Sequence, residues 1–161
     1  MATILKIYKN DDTILRTKCR NVSKIEDWVI EFSDSLWLTM EIAGGIGLAA
    51  NQVGYDYKMI AIDGPEFSGI MLNPLIIEKS KEIFHLQEGC LSFPGFGVDT
   101  GKRSKEITVT YMDLAGQQKE LFTKDLTSVI IQHEIDHLNG VIMIDHLEKD
   151  LVNEVRPKNE N

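Results

Sequence analysis

Residues 125–140 have the sequence DLTSVIIQHEIDHLNG, whose spacing predicts one amphipathic helix over residues 125–139. Gly140 is suited to the position just after it, because glycine adopts the left-handed conformation that commonly ends a helix. Residues four apart on a helix differ by about 40° in direction, so His133 and His137 point the same way. Two imidazoles on one helix face can bind a single divalent metal ion.

Glu134 follows the first of these histidines and lies about 100° further around the helix. That direction is unfavourable for a third ligand on the same ion. It is suitable for a base that takes a proton from a water molecule at the metal. Two ligands with a neighbouring base are what metal-assisted hydrolysis requires.

A catalytic metal ion needs a third protein ligand. The extended metalloprotease signature matches as far as Gly140, but Met143 occupies the position of its last histidine. A thioether is a poor zinc ligand, which disfavours that family. Glu148 and Glu154 lie downstream, in surroundings that resemble no second motif. Upstream, a deprotonated Cys90 would complete a set of two nitrogens and one sulfur, with one position open for water.

The rest of the chain predicts an α+β fold with antiparallel strands. Apolar residues recur at three- and four-residue steps over residues 25–43, which predicts a helix of about five turns with Ser23 as N-cap and Gly44 and Gly45 as its stop. Residues 115–116 are suited to a hairpin turn. A short last helix is expected at residues 147–155, with a frayed tail from about residue 150. Strand-like runs cover residues 58–63, 70–73, 75–77, 83–86, 106–113 and 118–123.

The 161 residues fit one domain, 1–161, and their net charge of −8 argues against nucleic acid or anionic membrane as partners. The apolar runs are far too short for a membrane span, and the first residues lack the apolar core of a signal peptide. Two cysteines make no disulfide framework, so a reducing cytoplasm is expected. No motif surrounds Cys19, which is expected to be a structural thiol.

Three segments resemble the motifs of peptide deformylases: GIGLAANQ at residues 45–52, EGCLS at 88–92 and QHEIDH at 132–137. Their order and their separation along the chain match as well. The resemblance runs from about Ile4 to Leu147. It implies antiparallel β-sheets packed around a central helix that carries the HExxH metal motif. It also implies a hydrolase that removes the N-terminal formyl group from the formyl-methionine of nascent polypeptides and releases formate.

The resemblance assigns catalytic roles to individual residues. Cys90, His133 and His137 are expected to bind the metal ion. Glu134 is expected to act as general base. The oxyanion is expected to accept hydrogen bonds from the Gln52 side-chain amide and the Leu91 backbone N–H. From the residues alone, a hydrogen bond with the backbone is the preferred interpretation of Gln52.

The resemblance also implies how a peptide would bind. The substrate is expected to pair, like an added strand, with Gly45, Ile46, Gly47 and Gly89. The residues expected to line the methionine pocket are Ile46, Leu86, Leu126, Val129 and Ile130.

Three charged residues have two interpretations each. Arg103 matches a basic position near the substrate-binding side of the family, although a solvated surface arginine is as plausible on general grounds. Glu88 is either a partner behind the metal ligands or a surface charge. Asp136 either orients a ligand or helps to cap and solvate its helix.

Ligand preferences alone suggest zinc for a tetrahedral site of two histidines and one cysteine. The resemblance implies Fe²⁺ as the working metal, with Zn²⁺, Ni²⁺ or Co²⁺ tolerated. Formyl-methionyl nascent peptides are the implied partners, and a transient association with the ribosome is compatible with that substrate.

Two other functions remain open at this point. A metallopeptidase that cleaves internal bonds predicts a third ligand after His137 and no role for Cys90. A non-enzymatic, metal-stabilised binding module predicts a closed coordination shell and a dispensable Glu134.

Overall fold

The computed structural model describes residues 1–147, which contain two α-helices, seven strands and three short 3₁₀ helices. The helix expected at residues 147–155 and the tail from about 150 therefore lie outside the described residues, apart from Leu147. The elements are α1 (Asp27–Ile42), β1 (Gly47–Ala49), β2 (Met59–Asp63), β3 (Ser68–Lys79), β4 (Glu88–Cys90), β5 (Phe93–Val98), β6 (Glu106–Met112), β7 (Gln118–Lys124) and α2 (Asp125–Leu138), with 3₁₀ helices at Thr13–Arg16, Ala50–Val53 and Met143–His146.

Helix α1 begins at Asp27, two residues later than predicted, with Glu26 rather than Ser23 as N-cap. The reason is tertiary: the Asn73 side chain hydrogen-bonds both the N–H and the carbonyl of Val22. These bonds fix the chain just before the predicted start. Most of the apolar stripe is buried as expected and forms one core cluster, which includes Val29, Phe32, Leu36 and Met40, but Ala43 at its end is exposed.

Five strands form an antiparallel sheet in the order β1-β2-β3-β6-β7. The two runs predicted at 70–73 and 75–77 are parts of one long strand, β3. Its pairing with β6 shifts register between Leu72 and Leu75, around Pro74, which has no N–H for the ladder. A strand interrupted by proline therefore has the sequence pattern of two strands.

A second, two-stranded sheet is formed by β4 and β5. Neither strand is predicted from the sequence, because EGC and FPGFGV are rich in glycine and proline. The strand predicted at 83–86 is wrong: that segment makes one isolated bridge, Ile83 to Ser104.

Helix α2 directly follows β7 and contacts β1, β2, β6 and β7. The predicted hairpin between β6 and β7 is confirmed, with Gly116 at φ +80°. The predicted end of α2 is also confirmed, since Gly140 has φ +74°. The result is a mixed α/β fold with antiparallel sheets. No helix in residues 1–147 has the length and apolar character needed to cross a membrane.

Candidate metal and active site

Three ligand atoms converge where the end of β4 meets α2. Cys90 Sγ lies 3.3 Å from His137 Nε2, which in turn lies 3.2 Å from His133 Nε2. All three atoms are within 4.8 Å of one another, and both histidines are buried. The helix supplies two of them because positions four apart share a face.

The donor set fits a divalent transition metal. In a tetrahedral site, metal–nitrogen distances of about 2.0–2.1 Å and a metal–sulfur distance of about 2.3 Å separate the ligand atoms by about 3.3–3.6 Å. The observed separations of 3.2 Å between the two histidine nitrogens and 3.3 Å between Cys90 Sγ and His137 Nε2 are close to these values. Burial and the neighbouring His133 hold the pKa of His137 well below its usual value, which favours the neutral imidazole that binds metals.

Glu88 lies behind His133 and is 4% exposed, so its interpretation as a surface charge is wrong. Its Oε1 is 2.9 Å from His133 Nδ1, and Thr100 Oγ1 donates to its Oε2 over 3.1 Å. A carboxylate on Nδ1 fixes the ring and leaves Nε2 free for a metal ion.

Arg103 is also buried, at 4% exposure, so it is not the solvated arginine considered above. Its guanidinium donates two hydrogen bonds of 2.9 Å to Glu88 and one to Asp136. Arg103 is not among the residues that line the pocket, and its expected place near the substrate stays a prediction. Asp136 also contacts His146 Nε2 at 2.7 Å, so the network behind His133 extends to the end of the described chain.

Glu134 projects into the pocket beside the ligands, 4% exposed. Among the described residues, its Oε2 has no hydrogen-bond partner. Burial raises the pKa of its carboxyl to about 7, which suits a group that takes and returns a proton near neutral pH. Gly47 makes room for it, since a Cβ there would overlap Glu134 Oε1 and lie 2.8 Å from Ile130.

Gln52 is held on both sides of its amide and is 1% exposed. Its Oε1 accepts a hydrogen bond of 2.9 Å from the Ala49 N–H, so the expected bond to the backbone is present. Its Nε2 donates to Ser92 Oγ over 3.1 Å and lies 3.7 Å from Cys90 Sγ. The Gln52 amide nitrogen is therefore fixed next to Cys90.

A pocket of about 480 Å³ lies over these groups. It is lined by Gln52, Cys90, Leu91, His133 and Glu134. His137 lies beneath, in contact with Cys90 and His133. All eight residues expected to bind substrate backbone or the methionine side chain also line it: Gly45, Ile46, Gly47, Leu86, Gly89, Leu126, Val129 and Ile130.

The pocket also contains two aromatic residues that are not predicted from the sequence, Phe93 and Phe96. Their position in the sequence could have indicated a place near the site, since both follow the EGCLS motif within a few residues, in the glycine-rich run FPGFG. No role is predicted from the sequence for Ser92, which accepts a hydrogen bond from Gln52. Cys19, by contrast, is buried outside the site as expected, and burial raises the pKa of its thiol to about 11.

Known proteins resemble this chain in both sequence and fold. The sequence profile of the family described as polypeptide deformylase matches residues 4–152. The peptide deformylase of Borreliella burgdorferi is 37% identical over 92% of this chain and 89% of its own length.

Two solved structures have a fold similar to that of this chain. One is a peptide deformylase from Synechococcus elongatus in complex with actinonin (38% identity, TM-score 0.88, 94% of this chain and 83% of that one). The other is a class I type b enzyme from Acinetobacter baumannii with Met-Ala-Ser bound (31% identity, TM-score 0.86, 91% of this chain and all of that one). With its three ordered motifs, its cluster of candidate metal-ligand atoms and these similarities, the chain belongs to the polypeptide deformylase family.

Proposed function

We propose that Cys90, His133 and His137 of this peptide deformylase hold one divalent metal ion, which serves to hydrolyse the formyl amide of formyl-methionyl peptides. The observation that carries the proposal is the convergence of the three ligand atoms beneath a pocket, beside the Glu134 carboxylate, whose Oε2 has no hydrogen-bond partner within residues 1–147. Helix α2 is then the central helix of the catalytic domain, and that single domain covers residues 1–161.

The two alternative functions are not favoured. The metallopeptidase predicts a ligand after His137 and no role for Cys90. Among residues 1–147, the only metal-ligand cluster is the one that includes Cys90. The binding module predicts a dispensable Glu134, whereas burial of an unpaired carboxylate is costly and is typical of functional sites.

The first chemical step requires a base at the attacking water. When bound, a divalent ion supplies Lewis acidity, which makes water more acidic and withdraws electron density from the formyl carbonyl. Glu134 Oε2 accepts the proton from water, and the water oxygen attacks the formyl carbon. The buried, raised-pKa carboxyl keeps this proton inside the site.

The second step stabilises the charge that develops on the formyl oxygen. Gln52 Nε2 and the Leu91 backbone N–H donate hydrogen bonds to it. Ser92 and Ala49 hold the Gln52 amide, so the donor needs little reorganisation. Glu134 then passes its proton to the amide nitrogen, the C–N bond breaks, and formate leaves with a free amino terminus remaining on the peptide.

The substrate is proposed to lie between two sheets. β1 is an edge strand of the five-stranded sheet, and β4 lies across the pocket from it. An extended peptide can pair with residues 45–47 and with Gly89. The methionine side chain enters the apolar part of the pocket formed by Leu126, Val129 and Ile130 of α2. The Met-Ala-Ser bound to the Acinetobacter enzyme is a ligand of this class.

The direct test is an assay with a formyl-Met-Ala-Ser peptide, under anaerobic conditions with added Fe²⁺. Formate and free Met-Ala-Ser should appear in equal amounts. The N-acetyl peptide serves as control and should remain intact. Cleavage at an internal bond would instead support the metallopeptidase, and an intact formyl peptide would reject the proposed reaction.

Cys90→Ala should lose its tightly bound metal ion. Removing a hydrogen-bond partner of a metal ligand typically weakens metal binding by about 10–100-fold. Removing a ligand itself should therefore weaken metal binding by more than about 100-fold. Elemental analysis and chelator competition measure this. Cys19→Ala is the matched control, because Cys19 is a buried free thiol outside the site. One metal ion per chain in both variants would contradict the proposed ligand set.

We propose Fe²⁺ as the working metal, with zinc, nickel or cobalt as possible substitutes. A thiolate beside an open iron position is exposed to oxidation at both the metal and the sulfur. The iron form should therefore lose most of its activity in air, while the nickel form keeps it. Activity is followed over time for both forms in air and under argon. Equal lifetimes in air would argue against iron.

Formyl-methionyl nascent peptides are the proposed partners, with a transient ribosome association, and the cytoplasm is the proposed location. The net charge of −8 disfavours direct binding of nucleic acid or of anionic membranes, so neither is a proposed partner.

A further inference from the structure

Asn51, the residue before Gln52, is fully buried in the 3₁₀ helix Ala50–Val53. Its Nδ2 donates hydrogen bonds to the carbonyl oxygens of Thr17, at 3.3 Å, and of His137. One side chain therefore connects the 3₁₀ helix that carries Gln52, the turn after the 3₁₀ helix Thr13–Arg16, and the last turn of α2. Because both carbonyls are acceptors, they fix the orientation of the amide, with Nδ2 towards them and Oδ1 away.

Two buried atoms in this contact lack partners. Within residues 1–147, neither Asn51 Oδ1 nor His137 Nδ1 makes a hydrogen bond. The two are chemically complementary. A neutral histidine that binds a metal ion through Nε2 carries its proton on Nδ1, and that N–H is a donor. An amide oxygen is an acceptor. Buried polar groups are nearly always paired, so two orphans on contacting residues point to one missing bond.

His133 and His137 differ in this respect. His133 Nδ1 already has the Glu88 carboxylate. Metal-binding histidines almost always donate their second ring N–H to an outer partner, which sets the tautomer and the ring orientation. His137 needs such a partner as well. A carboxylate in place of the Asn51 amide would face the carbonyl oxygens of Thr17 and His137 and would be repelled by them, so a neutral amide suits this position.

We propose that Asn51 is the positioning residue for the metal ligand His137. Its Nδ2 holds the carbonyl of the ligand-bearing turn, and its Oδ1 accepts the Nδ1–H that His137 carries when Nε2 binds the metal. The inference rests on the proposed function only in taking His137 as a ligand. It gives each histidine its own outer partner, a carboxylate for one and an amide for the other.

The variant test compares Asn51→Ser with Asn139→Ser. Asn139 is exposed at the same helix end, and its Nδ2 donates to the carbonyl of Ile135, away from the ligands. Metal affinity is measured with zinc or nickel by chelator competition, and melting temperature is measured with and without the metal. Asn51→Ser should bind metal about 10–100-fold more weakly and show a smaller metal-induced rise in melting temperature. Asn139→Ser should match the wild type in both.

A purely structural role for Asn51 gives a different result. The melting temperature would then fall equally with and without metal, and the metal affinity would not change. That outcome would overturn the proposal. None of these measurements uses deformylation, so a failure of the proposed reaction would leave the role of Asn51 independently testable.

The wild-type protein supplies a second test that needs no variant to fold. In the cobalt-loaded protein, ring N–H protons of ligand histidines give shifted proton NMR signals that disappear in D₂O. Two slowly exchanging signals are expected, one from His133 and one from His137. In Asn51→Ser, one of them should exchange much faster. A wild type with only one protected signal would overturn the proposal, as would an Asn51→Ser variant that keeps both.

Discussion

Replacing Glu134 with glutamine should lower kcat by about 10²–10⁴-fold, while one metal ion stays bound per chain. The effect is large because Glu134 is proposed to move the proton twice, from water and then to the leaving amine. Glutamine has nearly the same size and can neither accept nor release that proton. The metal should remain because Glu134 is not one of the three clustered ligands.

The same substitution separates catalysis from stability. Glu134 is buried with an unpartnered oxygen, and burial of a neutral amide costs less than burial of a carboxylate. The melting temperature of Glu134→Gln should therefore equal or exceed that of the wild type, although activity is nearly lost. Steady-state kinetics, elemental analysis and calorimetry measure the three quantities.

A second substitution at this position controls for the geometry of the carboxylate. Glu134→Asp keeps the acid but withdraws it by one methylene, so it should retain more activity than the glutamine variant. Turnover near the wild-type rate in Glu134→Gln would remove Glu134 from the mechanism. Loss of the metal in that variant would instead show that Glu134 is a ligand.

The helix with the metal motif could be predicted closely, and the reason is local. Spacing along α2 alone places His133 and His137 on one face, and Gly140 marks its end. Cys90 could be predicted as a ligand only through its motif. Its strand β4 owes its existence to pairing with β5 and has little strand propensity of its own.

The network behind His133 illustrates what one sequence cannot supply. Glu88, Arg103 and Asp136 are charged residues, and charged residues are usually exposed. Their burial follows from pairing across 15 and 33 residues of chain. The hydrophobic periodicity of a sequence does not indicate which distant charged residues form such pairs. The same applies to Asn51, whose two carbonyl partners are 34 and 86 residues away.

Gln52→Leu should lower kcat by about 10²–10³-fold with little change in KM, the effect of losing one donor to an oxyanion in acyl-transfer enzymes. The formyl oxygen gains its full charge only as water adds, so the Gln52 Nε2 donor favours the transition state over bound substrate. Leucine keeps the approximate volume and removes the donor. Because the metal ion can share the charge, the loss should fall towards the lower end of that range.

Gln52 also has a structural contact, which the measurement must separate from catalysis. Its Oε1 accepts the Ala49 N–H, and leaving that buried group unpaired costs about 1–3 kcal/mol. Gln132→Leu is the structural control: Gln132 is also a buried glutamine whose Oε1 accepts a backbone N–H, from Ser104, and its Nε2 donates to Ser104 and Ser128, but it lies outside the pocket. Both variants should melt at lower temperature, but only Gln52→Leu should lose kcat per folded, metal-loaded molecule. Because kcat is compared per folded, metal-loaded molecule, equal kcat values would assign Gln52 to the fold and leave Leu91 as the protein's proposed donor to the oxyanion.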